Sequence, residues 1–147
     1  MKAEDSVTRT VAFQLGKLGQ IATGRFADRL APHGLRPRHC AVLELLAVGP
    51  KAQLELARAI GVTPSVVVDM LDELEKLDAL RRVRDTADRR RQLIELTAEG
   101  QKLRRTAALL ARETDEELLG SFTAEEVAAL RRVLSQVASV NGIPVVG

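Results

Sequence analysis

The chain has 147 residues, 46% hydrophobic and 29% charged, which is ordinary for one soluble globular domain and short for two. A formal net charge of only +2 does not by itself imply a nucleic-acid partner, and a single cysteine excludes an intrachain disulfide framework and suits a reducing cytosol. Tyr and Trp are absent and Phe occurs three times, so the aromatic platforms on which single strands stack are missing, which argues against RNA or single-stranded DNA.

The first residues, MKAEDSVTRTVAF, hold no apolar core of signal-peptide length, and no later run is long enough to cross a bilayer. The expected location is the cytoplasm, with no membrane partner. From about Val11 to Leu30, Val11, Leu15, Leu18, Ala22, Phe26 and Leu30 recur at steps of three and four, the period of a helix, weakened locally by Gly16, Gly19 and Gly24. PHGLRP breaks the chain; Pro37 fits the first turn of a second helix, which ends at Gly49-Pro50. A short helix follows around QLELARAI. In GVTPS, Gly61 turns the chain, Thr63 is the N-cap and Pro64 takes the first helical position. The helix that starts there gathers Val67, Met70, Leu71, Leu74 and Leu77 in one stripe. Its other face carries Ser65, Asp69, Asp72 and Lys76, flanked by Val66 and Val68. Leu80 to Arg84 and Gln92 to Leu96 read as paired strands. Thr97 opens a long helix reaching Leu119. FTAEEV then supplies a capping box, Thr123 with Glu126, and a hydrophobic staple, Phe122 with Val127, before a last helix through Leu130, Val133, Leu134 and Val137. The expected fold is mainly α with a small β-hairpin: a winged helix-turn-helix lobe over 35–97, framed by helical arms at 1–34 and 98–147, in a single domain.

Charge is distributed less evenly than its total suggests. Arg81 to Arg91 holds six arginines against two aspartates, a local +4, while Asp69 to Asp78 holds five acids against Lys76, a local −4. Two helices joined by a tight glycine turn form a DNA-reading unit, and Ala57, four residues before Gly61, is small where they must approach. A helix pair alone equally suits packing in an all-α domain. A hairpin with a purely structural role, however, needs no arginine cluster at its tip. The second helix fits the width of a major groove, where valine methyls can meet thymine methyls.

GPKAQLELARAIGVTPSVVVDMLDELEKLDALRRVRDTADRRRQLIELTAEGQKL, residues 49–103, resembles the MarR family of winged-helix transcriptional regulators, through ELARAIGV, LDELEKLDALRRV, DTADRR and LTAEG in that order; GLRPRHCAVLELL, residues 34–46, extends the match. The resemblance implies a homodimer clasped by its N- and C-terminal helices, most often a repressor. It would bind double-stranded DNA at a pseudo-palindromic operator with half-sites about one helical turn apart. Recognition helices would enter successive major grooves and wing arginines the flanking minor grooves. The DNA-contacting set it implies is Arg38, Gln53, Thr63, Pro64, Ser65, Val66, Val68 and Asp69, and on the wing Arg82, Arg84, Asp88, Arg89, Arg90 and Arg91, with Arg90 inserted in the groove. A narrow minor groove concentrates negative potential and attracts arginine, and Asp85 or Asp88 can hold a neighbouring guanidinium. Val68 and Asp69 stand where many relatives carry a basic or hydroxyl residue. A carboxylate there is repelled by phosphate, yet it can accept from cytosine N4 or orient an arginine, so the target sequence stays open. Ala52 replaces a frequent capping hydroxyl, which weakens that helix start.

Release by a small-molecule effector is also implied, from a pocket between the dimer arms and the DNA-binding lobe. His33, Arg38 and His39 are the candidate effector contacts; an aliphatic lining suits an apolar or phenolic molecule, with Arg38 or His39 for an anion. Cys40 lies in the second helix of a chain without Tyr, unlike the first-helix cysteine and tyrosine partners of a peroxide sensor, and reads as a buried structural thiol. His33, His39, Cys40 and Glu44 are metal-ligand types at no recognised spacing. No nucleophile–base arrangement or phosphate-cradling glycine motif occurs, so neither an enzyme, a cofactor nor a metal is expected. The rival reading is a winged-helix protein-interaction module without sequence-specific DNA binding, its Asp69, Asp72 and Glu73 meeting a basic partner.

Overall fold

Thr10 opens the first long helix: its hydroxyl accepts from the Phe13 N–H at 3.2 Å, and α1 runs over Val11–Leu30. The computed structural model describes residues 5–143, and the chain divides into two compact units, Met1–Arg112 and Glu113–Gly147. In the first unit, α2 (Pro37–Ala47) buries His39, Val42, Leu43 and Leu46, spaced for one helical face. A two-residue strand, β1 (Lys51–Ala52), leads into α3 (Gln53–Ile60). Ala52 has no oxygen to cap α3, as its sequence suggests, but Glu55 Oε1 reaches back to accept the Ala52 N–H at 3.2 Å. Gly61 ends α3 at φ +81°, so that its own N–H and that of Val62 both donate to the Ala57 carbonyl.

Helix α4 (Pro64–Lys76) begins as the sequence predicts, with Thr63 Oγ1 accepting from the Val66 N–H at 3.4 Å and Pro64 in the first turn. Val67, Met70, Leu71 and Leu74 are fully buried, while Ser65, Asp69, Asp72 and Lys76 are exposed. Burying each of these large side chains contributes about 2 kcal/mol, so this stripe fixes which face α4 presents outward. The helix closes on Asp78, in the left-handed region at φ +58°, with the Ala79 N–H donating to the Leu74 carbonyl at 3.0 Å.

Strands β2 (Leu80–Arg84) and β3 (Gln92–Leu96) pair antiparallel, Leu80 opposite Leu96 and Arg84 opposite Gln92. The hairpin is wider than its sequence announced. β1 pairs with the free edge of β3, Lys51 opposite Ile94 and Ala52 opposite Leu93, giving the order β1-β3-β2. Two residues are too few for an alternating pattern to show.

Helix α5 (Ala98–Leu119) starts hard against the α4–β2 junction. The Thr97 hydroxyl donates to the Asp78 carbonyl, the Thr97 N–H to the Ala79 carbonyl at 3.1 Å, and the Gly100 N–H to Thr97 Oγ1 at 3.0 Å. A β-carbon on Gly100 would lie 2.0 Å from the Ala79 carbonyl oxygen, so only glycine fits. The first unit's core joins Leu30 and Leu35 to the buried faces of α2, α3 and α4 and to Ile94.

In the second unit, α6 (Ala124–Val140) carries the capping box that the sequence predicts: Thr123 N–H donates to Glu126 Oε1 at 3.0 Å and Glu126 N–H to Thr123 Oγ1 at 3.1 Å. Phe122 and Val127 line one apolar hollow with Leu119 and Leu130, and Arg131 pairs with Asp115 at 3.4 Å. α6 buries none of its residues: Leu130, Val133, Leu134 and Val137 remain 40–47% exposed along one stripe.

Candidate nucleic-acid interface

The exposed face of α4 begins at its N-terminus. Thr63 and Pro64 are exposed, Thr63 Oγ1 lies 3.2 Å from Ser65 Oγ, and Val66 and Val68 are half-buried on either side of the Ser65–Asp69 line. Gln53 is half-buried at the first position of α3. Most of the acids on α4 are held by cations of neighbouring segments. Arg82 Nη2 meets Asp72 Oδ1 at 3.0 Å and its Nη1 meets Glu75, tying α4 to β2. Glu73 is shared by His39 and Arg38, which tie α4 to α2.

The six arginines of the wing divide into two groups. Arg81 is paired with Glu95 across the hairpin at 3.0 Å, Arg82 with α4, and Arg91 with Glu55 of α3. Arg82 and Arg91, expected from the sequence as DNA contacts, thus hold the base of the wing to the two helices, because an acid of each helix lies within reach. Arg84, Arg89 and Arg90 differ. Arg84 and Arg89 make no ion pair among the described residues, and Arg90 is 96% exposed with its Nε 4.0 Å from Asp88. With Gln92 these three line an open cleft of about 540 Å³ at the wing tip.

The wing carboxylates act first on the backbone. Asp85 Oδ1 accepts from the Ala87 N–H at 2.9 Å and Asp88 Oδ1 from the Arg90 N–H at 3.1 Å, the side-chain turns this residue type favours. Asp85 N–H then donates to the Arg91 carbonyl at 2.9 Å, closing the loop.

The three residues expected at an effector pocket are dispersed in role. His33 is exposed in a short 3-10 turn after α1. Arg38 is 44% exposed and pairs with Glu73 at 3.4 Å. His39 is fully buried with both ring nitrogens committed: Nδ1 accepts the Arg36 N–H at 2.9 Å, and Nε2 donates to Glu73 Oε2 at 2.8 Å. That leaves the imidazole no atom for a ligand and makes it a fastening between α2 and α4. Burial lowers its pKa, Glu73 pulls the other way, and Arg38 and Arg36 lower it further. Cys40 is half-buried; burial, then the nearby Glu44, push its thiol up to about 11, which suits an inert structural thiol.

Sequence reasoning did not assign Glu55, Asp72 or Glu75 as the anchors of the wing. For Asp72 and Glu75 the adjacency of a −4 run and a +4 run was the available signal, since opposite charges on consecutive elements tend to meet when the chain turns back; Glu55, on α3, lies outside both runs.

A helix-turn-helix with an open polar face on its second helix, followed by a β-wing tipped with arginine, defines the winged-helix class of DNA-binding regulators. The MarR family model matches residues 33–91. The transcriptional regulator HosA of Escherichia coli O157:H7 is 38% identical over 120 residues, 80% of this chain and 87% of its own. The chain belongs to the MarR family. Among solved structures, a MarR-family transcriptional regulator from Rhodococcus sp. RHA1 superposes with a TM-score of 0.79 at 29% identity, covering 91% of this chain and 96% of that one. The transcriptional repressor CouR bound to a 23-mer DNA duplex gives 0.78 at 27% identity, covering 91% and 96%. CouR from Rhodococcus jostii RHA1 bound to p-coumaroyl-CoA gives 0.75 at 29%, covering 91% and 95%. Among the described residues no helix is long and apolar enough to cross a membrane.

Proposed function

We propose that the protein is a homodimeric, cytoplasmic repressor that binds double-stranded DNA at a pseudo-palindromic operator and is released by a small-molecule effector. The observation that carries this is the wing tip, where Arg84, Arg89 and Arg90 surround an open cleft while the other wing arginines are consumed by acids of the fold. Guanidiniums that are unpaired among the described residues, as in Arg84 and Arg89, or only 4.0 Å from a carboxylate and almost fully exposed, as in Arg90, suit a polyanion. A narrow minor groove is where arginine is most strongly attracted. α4 lies in the major groove in this reading, with Thr63, Pro64, Ser65, Val66, Val68 and Asp69 toward the bases and Arg38 and Gln53 near the phosphates. The lobe comprises 35–97 and the dimer arms 1–34 and 98–147.

Two exposed apolar stripes support the dimer. On α1, Val11, Leu15, Leu18 and Ile21 are 42–71% exposed, and α6 adds its own stripe. Exposed leucines at helical spacing on two separate helices are faces that a second copy would cover. The effector is argued from likeness alone: CouR is a relative of this fold that takes both a DNA duplex and p-coumaroyl-CoA. A ligand favouring the conformation that does not fit DNA would shift the population away from the operator. Recognition of a basic protein partner is less supported, because Asp72 and Glu73 are already paired within the fold and only Asp69 of the three acids is left for it.

Selection from a random double-stranded library followed by gel-shift titration tests the proposal. A sequence-preferring complex whose affinity falls steeply with salt is expected; absence of any such complex overturns it.

A further inference from the structure

α4 carries four acids, and the fold leaves one of them alone. Asp72 and Glu75 share Arg82, and Glu73 is held by His39 and Arg38. Asp69 is exposed on the same face as Ser65 and Asp72 and makes no hydrogen bond or ion pair among the described residues. It sits in the second turn of the helix, after the half-buried Val66 of the first turn and the half-buried Val68 beside it, and before the acids already paired.

A carboxylate on a groove-facing helix has three possible partners. Phosphate repels it. An arginine would be oriented by it, but Asp69 makes no such pair in this fold. What remains is a hydrogen-bond donor on a base edge, because an ionised carboxylate only accepts. In the major groove guanine offers O6 and N7 and thymine O4, all acceptors. Adenine offers the N6 amine beside the N7 acceptor, and cytosine offers the N4 amine with no neighbouring acceptor of its own. We infer that Asp69 is a specificity-determining residue that selects cytosine, through its N4 amine, at one position of each half-site. This rests on the DNA-binding reading above and adds to it the base that the recognition helix demands.

The experiment compares selected duplexes for the full-length protein and for Asp69→Ala and Asp69→Asn, followed by titration against all four bases at the chosen position. The unsubstituted protein should require cytosine at one position per half-site, with roughly tenfold weaker binding for each of the other bases. Asp69→Ala should accept all four there while keeping every other preference. Asp69→Asn should move the preference to adenine, since an amide accepts from N6 and donates to N7. A duplex carrying 2-pyrimidinone, which lacks the 4-amino group, should weaken the unsubstituted protein about as much as a wrong base and leave Asp69→Ala unaffected. Uniformly tighter binding by Asp69→Ala with an unchanged base preference would overturn the inference and mark Asp69 as a phosphate-repelling charge only. If a site is selected but is shared by all three proteins, the inference falls and the DNA-binding reading stands; if no duplex is selected at all, both fall.

Discussion

Replacing His39 with glutamine tests the fastening between α2 and α4, because the buried ring has a fixed tautomer. Nδ1 accepts the Arg36 N–H, so the proton sits on Nε2 and points at Glu73. A second proton would have to enter at Nδ1, donor against donor. Burial foremost, with Arg38 and Arg36 adding to it against Glu73, keeps the folded-state pKa below 6.5. The unfolded chain therefore takes up this proton at a higher pH than the folded one does. Stability from His39 is complete above about 6.5 and is lost as the pH falls from there to the folded-state value, by up to about 1.4 kcal/mol per pH unit crossed. Burial tends to raise Glu73, but its hydrogen bond to His39 and the nearby charges of His39, Arg36 and Arg38 outweigh this and hold it below 4.5. Its own contribution is thus present above 4.5 and lost only below that, leaving the interval down from 6.5 to report on the histidine. Glutamine keeps a donor for Glu73 and leaves the Arg36 N–H without its acceptor, a cost of about 1 kcal/mol at neutral pH. Urea titrations followed by far-UV circular dichroism, from pH about 7.5 to about 5, should show the two proteins converging as the pH falls. The comparison belongs in a His33→Asn background, which removes the only other histidine. Parallel curves, or a flat profile for the protein with His39 intact, would refute the reasoning.

Gly100→Ala should destabilise the first unit by on the order of 3 kcal/mol, since the β-carbon meets the Ala79 carbonyl and Leu96; an unchanged urea midpoint would show that the α5 seat has slack. Arg90→Ala should weaken DNA binding for all sequences alike and reduce the slope of log affinity against log salt by about one, read by gel shift at several ionic strengths. Leu134→Glu places a charge in the exposed stripe of α6, and sedimentation should report a shift from dimer to monomer with the helical content retained.

Local signals made most of the fold readable. Thr63 with Pro64, Thr123 with Glu126, and Gly61 mark helix ends because capping needs only residues within one turn of each other. The spacing of His39, Val42, Leu43 and Leu46 already places the imidazole on the buried stripe, but a polar residue type masks that position when hydropathy alone is read. β1 is two residues long and exists only because the edge of β3 is free to pair, so no local pattern announces it. The division of the wing arginines was illegible for a different reason. Whether Arg82 or Arg84 finds an acid depends on how β2 lies over α4, and Arg91 meets Glu55 from 36 residues away in the chain. The reading face of α4 followed from the helical period; that Asp69 alone of its acids is unclaimed required coordinates.

In the loop between β2 and β3, outline and electrical character are entrusted to different residues. Asp85 and Asp88 each give an oxygen to the main chain, and the ladder below sets the register, whereas the guanidinium of Arg89 makes no ion pair among the described residues and that of Arg90 only a 4.0 Å approach to Asp88. The two basic side chains can therefore be exchanged, shortened or neutralised while the loop keeps its contour. That makes them suitable positions for retuning grip on a duplex without reopening the question of whether the protein folds.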